Sequence, residues 1–80
     1  MLPRLTRAQK LILQKLDRAH DGCAYFDPKR MNSLLALQYH GLVRYAGIVF
    51  ELWAITERGR DFVRFHIRKL ADWRELEAIR

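Results

Sequence analysis

His20, Cys23, His40 and His66 are the side chains of this sequence that could ligate a metal or serve as nucleophile and base. Zinc sites draw on pairs of Cys or His at close spacing, and only His20 and Cys23 are close, with no second pair following. A metal site is therefore not expected. A Cys–His nucleophilic pair also needs a third group to orient the base and a cleft for the substrate, and neither is legible. The carboxylates fall beside arginines or at helix starts, where charge balance and capping account for them, and no glycine-rich phosphate loop is present. The expectation is a non-enzyme with no cofactor and no small-molecule substrate.

The chemistry that the composition does favour is electrostatic. Fifteen Lys+Arg against nine Asp+Glu give a net charge of +6, and the isoelectric point is about 10.1, which favours a polyanionic partner such as nucleic acid. The single cysteine excludes an intrachain disulfide, and a reduced, cytoplasmic setting is the default expectation. The first residues are interrupted by Gln14 and Lys15 before a signal-peptide core could form, and no apolar run reaches the length of a membrane span. Eighty residues with half of them apolar predict one small folded domain over 1–80, with 71–80 as a tail for dimerisation or capping.

Local signals supply the elements. Thr6 followed by Gln9 is a capping-box pattern, and Leu5, Ala8, Ile12, Leu16 and Ala19 recur at helical spacing, so a helix is expected from about Thr6 to His20, stopped by Asp21-Gly22. "CAYF", Cys23 to Phe26, reads as a brief strand. Asp27 and Pro28 open a second helix that ends at Gly41. "LVRY" and "IVFELWAI" around Ala46-Gly47 predict a hairpin with a two-residue turn. Thr56 and Glu57 start a final helix with Phe62, Val63, Phe65, Ile67 and Leu70 as its apolar stripe, and Asp72 with Glu75 marks a separate short helix or a continuation.

The order helix, short strand, helix, hairpin wing and C-terminal helix, together with Leu37, Gly41, Leu42, Val43, Trp53, Ile55, Thr56, Gly59 and Arg60, resembles the winged helix-turn-helix domain, particularly MarR-type and related small prokaryotic regulators. The resemblance implies an α+β fold in which Gly41 ends a helix where a side chain would clash and Leu42 and Ile55 share a hairpin face. It also implies double-stranded DNA as partner, regulation of transcription, and a homodimer made by terminal helices. One departure is plain: a helix-turn-helix needs two helices before the Gly-Leu-Val, and only Asp27 to His40 is available.

Two surfaces follow. With Leu34 and Leu37 turned to the core, Lys29, Arg30, Asn32, Ser33 and His40 are the candidate DNA-contacting residues of the second helix, joined by Arg44 from the wing. Leu35, Tyr39, Ile48, Phe50 and Trp73 are instead candidates for a protein interface. A two-residue turn would place Val43, Tyr45, Ile48, Phe50 and Leu52 on one face, and Leu42, Arg44, Val49, Glu51, Trp53 and Ile55 on the other. Both would be largely apolar, so something must cover both: the chain's own termini or a second protein. The alternative to DNA reading is accordingly a module that docks on another protein as adaptor or inhibitor. Arg60, Arg64 and Arg68 share a face of the last helix as a basic stripe.

Overall fold

A computed structural model of the protein describes residues 2–47, 52–67 and 69–80. Helix α1, Arg7–Arg18, starts as its sequence dictates: the Thr6 Oγ1 accepts from the Gln9 backbone N–H at 3.2 Å and the Gln9 Oε1 accepts from the Thr6 N–H at 2.9 Å. Ile12, Leu13 and Leu16 are fully buried. The helix stops two residues short of His20 because Ala19 is already extended, and Gly22, at φ 72°, turns the chain into strand β1, Cys23–Tyr25.

The expected helix from Pro28 divides in two. Pro28–Arg30 form one 3-10 turn, with the Asp27 carboxylate accepting from the Lys29 N–H at 3.1 Å, and helix α2 runs Met31–Tyr39. Leu34 and Leu37 are buried as the spacing requires. Gly41 follows at φ 77°, a region costly for any residue with a Cβ. A Cβ there would come no closer than 3.6 Å to Arg58, so backbone conformation, and not the expected clash, is what asks for glycine.

Strands β2, Val43–Tyr45, and β3, Leu52–Ile55, pair antiparallel with Val43 opposite Ile55 and Tyr45 opposite Trp53. That register corrects the two-residue turn at Ala46-Gly47, which would have set Tyr45 opposite Ile48. The Ala46 and Gly47 N–H groups both donate to the Leu52 carbonyl, at 2.8 and 3.0 Å, and the connection is longer. The tightest hairpin turns require φ above zero at one or both central residues, and neither Ala46 nor Gly47 adopts it. An odd shift of register exchanges faces. Trp53 and Ile55 therefore join Val43 and Tyr45, and Leu52 joins Arg44. The expected sharing of a face by Leu42 and Ile55 is replaced by the direct pair Val43 and Ile55. The expected strand positions of Ile48, Val49, Phe50 and Glu51 lie outside the described residues.

β1 pairs with the other edge of β3, Cys23 opposite Ala54 and Tyr25 opposite Leu52, so the sheet order is β1-β3-β2. Its inner face carries Val43, Trp53 and Ile55 into the core beneath α1 and α3. Its outer face carries Arg44 and Tyr25, both exposed, beside Cys23, Leu52 and Ala54. Trp53 is 2% exposed, its ring meets Tyr45 edge to face at 5.3 Å, and its indole N–H has no partner. A buried unsatisfied donor costs about 1–3 kcal/mol. Trp53→Phe removes that donor along with some volume, so we expect a loss of stability below about 1.5 kcal/mol, against about 3–5 kcal/mol for Trp53→Ala, measured by urea denaturation followed by circular dichroism.

Helix α3, Glu57–His66, is capped by Thr56, whose hydroxyl donates to the Gly41 carbonyl at 2.6 Å and accepts from the Gly59 N–H at 3.0 Å. The Thr56 N–H donates to the Leu42 carbonyl at 3.1 Å. One residue thus ties the exit of α2 to the start of α3. Phe62 and Val63 are buried, but Phe65 and Leu70 are 67% and 63% exposed and leave the expected apolar stripe. Phe65 follows Val63 by two residues, which at about 3.6 residues per turn puts it on the opposite side of the helix.

The tail is a separate helix, α4, Trp73–Ala78, capped by the Asp72 carboxylate on the Glu75 N–H at 2.9 Å. It packs on α1 and buries Leu76, with Ile79 beyond it. Lys15 anchors the end, its Nζ donating to the Ile79 carbonyl at 2.7 Å. Burial holds the Lys15 ammonium below its ordinary pKa, Arg80 adds to the shift, and Glu77 opposes it. The unfolded chain binds that proton more tightly, so this cost to stability shrinks as pH rises towards the ordinary lysine range.

Candidate nucleic-acid interface

The N-terminal end of α2 gathers four of the sequence-identified residues. Lys29 and Asn32 are exposed, whereas Arg30 and Ser33 are half-buried. Among the described residues neither cation has an ion-pair partner, and the Arg30 Nε is buried without a hydrogen bond. The Asp27 carboxylate beside them is occupied by the capping bond to the Lys29 backbone. His40 stands at the other end of α2, half-buried, with its ring edge to face with Tyr39 at 5.3 Å. Arg44 is exposed on β2, the strand against which α2 packs.

No carboxylate side chain occurs between Asp27 and Glu51, the span that holds the 3-10 turn, α2 and β2. Whatever field this segment produces is positive, with Lys29, Arg30 and Arg44 as fixed charges. By contrast, two arginines elsewhere are neutralised. Arg7 pairs with Glu75 at 3.0 Å, and Arg60 pairs with Asp17 at 3.1 Å, the latter taking Arg60 out of the expected basic stripe. Arg68 of that stripe lies outside the described residues.

The candidate protein-interface residues are divided among elements. Tyr39 is 87% exposed and Leu35 is 47% exposed, both on α2. Trp73 is 61% exposed but belongs to α4, which packs on α1. Ile48 and Phe50 lie outside the described residues. Leu35 and Tyr39 are one helical turn apart and share the outer flank of α2 with Asn32. That flank is therefore mixed, polar and cationic at its start and apolar at its end.

Sequence reasoning missed Gln14, which is 4% exposed in the middle of the apolar side of α1. Its Oε1 accepts from the Ala71 N–H at 2.7 Å and its Nε2 donates to the Lys69 carbonyl at 3.4 Å. Its place between Leu13 and Leu16 was the available signal. Among the described residues no group of three or more His, Cys, Asp or Glu could hold a metal ion, and no helix is long and apolar enough to cross a membrane. No family model, no curated protein and no solved structure matches the chain.

Proposed function

We propose that this is a winged-helix protein that binds double-stranded DNA as a small regulator and carries out no catalysis. The single observation that carries the reading is the acid-free span containing α2 and β2, with Lys29, Arg30 and Arg44 on it and no ion-pair partner for any of them among the described residues. The sheet order β1-β3-β2, with α2 leading into the hairpin and α3 closing the core, supports the winged-helix assignment. The 3-10 turn at Pro28–Arg30 stands where the first helix of a helix-turn-helix would stand. In this reading Lys29, Arg30 and Arg44 contact phosphates, Asn32 and Ser33 face base edges, and His40 flanks them.

Fluorescence anisotropy of a mixed-sequence duplex, titrated at about 50 and 200 mM salt, tests it. Release of counterions by three phosphate contacts predicts a loss of affinity of about 40-fold between those conditions. No binding at the lower salt overturns the DNA reading. The exposure of Tyr39 and Leu35 then favours the second reading, a protein-docking module that uses the far end of the same helix.

A further inference from the structure

A cleft of about 460 Å³ opens on a different part of the molecule, between α1 and the segment that leads from α3 into α4. Arg7, Lys10, Leu11 and Gln14 recur along one face of α1 and form one wall. His66, Ile67, Lys69, Ala71 and Glu75 line the cleft from the C-terminal part of the chain. Among the described residues that line it Glu75 is the only carboxylate, and it is paired with Arg7. Lys10 and Lys69 are exposed and have no ion-pair partner among the described residues. The His66 ring packs against buried Phe62 at 5.2 Å between centroids, which restricts its orientation. Gln14 is nearly inaccessible, and its Nε2 makes one long hydrogen bond, leaving a second N–H to donate.

Lys10, Lys69, His66 and Gln14 line one cleft together with the apolar Leu11, Ile67 and Ala71. We propose that this cleft binds a small phosphorylated organic molecule, a phosphomonoester dianion carried on a compact apolar body. The charge of such a group, close to two at neutral pH, matches the unpaired Lys10 and Lys69, and Leu11, Ile67 and Ala71 receive the organic part. The volume lies in the usual range for a small-molecule site. The site is independent of α2 and does not rest on the DNA reading.

Phenyl phosphate is the probe, with inorganic phosphate and phenol as its separate halves, followed by thermal shift and isothermal titration calorimetry at about pH 7.5 and constant ionic strength. Phenyl phosphate should raise the melting temperature saturably, with an affinity at least about tenfold above that of either half. Lys10→Gln with Lys69→Gln should weaken it by at least about tenfold while keeping the far-ultraviolet dichroism of the parent. Lys29→Gln with Arg44→Gln should leave it unchanged. The proposal is overturned if phenol binds as well as phenyl phosphate or if sodium chloride at equal ionic strength gives the same shift. An equal loss in both double variants, which would mark a general charge effect, also overturns it.

Discussion

Gly59→Ala is expected to be the most damaging single-methyl addition to this protein. Gly59 lies in the first turn of α3, and a Cβ on it would land on the Leu42 carbonyl oxygen and reach within 2.7 Å of the Ile55 side chain. Neither neighbour can move freely. The Leu42 carbonyl is bonded to the Thr56 N–H, and Ile55 is paired in β3 with Val43 while its own N–H donates to the Gly22 carbonyl at 2.9 Å. Alanine ordinarily favours a helix by about 1 kcal/mol over glycine, so a destabilised variant would isolate the steric term. Overpacking of this kind costs about 1–3 kcal/mol, and more where backbone must shift. For a domain of this size each kcal/mol corresponds to about 4–8 °C in melting temperature. We expect a net fall of at least about 8 °C by circular dichroism; a variant that melts with or above the parent would show that α3 does not approach Leu42 so closely.

Lys29→Glu combined with Arg30→Glu should give the largest functional change. Lys29 is exposed and Arg30 is half-buried with its Nε shielded, and among the described residues no carboxylate pairs with either, so the reversal at Lys29 disturbs little in the fold and that at Arg30 falls on a partly buried side chain. Two lost phosphate contacts weaken binding, and two new negative charges beside the duplex repel it. Together they should reduce duplex affinity by at least about 100-fold at 50 mM salt and lower the salt slope by about two. Lys29→Glu alone should keep the melting temperature within a few degrees of the parent, because exposed charges away from partners contribute little to stability. Arg64→Glu, an exposed change on α3, is the control. An affinity lost equally with Arg64→Glu would mean that net charge, not α2, governs the interaction. Unchanged affinity in the double variant would remove α2 from the interface.

The elements were largely legible because each carries its own local signal. Thr6, Asp27, Thr56 and Asp72 all cap where their sequence neighbours say they should, Gly41 takes the left-handed conformation expected after a helix, and Gly22, expected as part of a helix stop, takes it too. What escaped was long-range. The hairpin register, in which the Ala46 and Gly47 N–H groups both find the Leu52 carbonyl, belongs to a strand that also pairs with β1, far back in the chain. The tail could be read as helix or continuation from its own residues, but its docking depends on Gln14 and Lys15 reaching Ala71 and Ile79. The residues of the α2 surface were legible as types. Their lack of carboxylate partners among the described residues was not, since the Arg7–Glu75 and Arg60–Asp17 pairings that engage acids elsewhere are tertiary.

The central position of β3 sets the order in which this molecule can be built. β1 and β2 have no hydrogen-bonded contact with one another, and each acquires its partner only when residues 52–55 arrive. A nascent chain that has emerged only as far as Gly47 holds two single strands and the uncovered apolar side of α1. It can form helices, but no sheet. Residues 52–55 then zip two edges at once, and α3 and α4 follow in sequence to close the layer over α1. Until Leu52 emerges, the unpaired edges of β1 and β2 are open to aggregation and to chaperone capture.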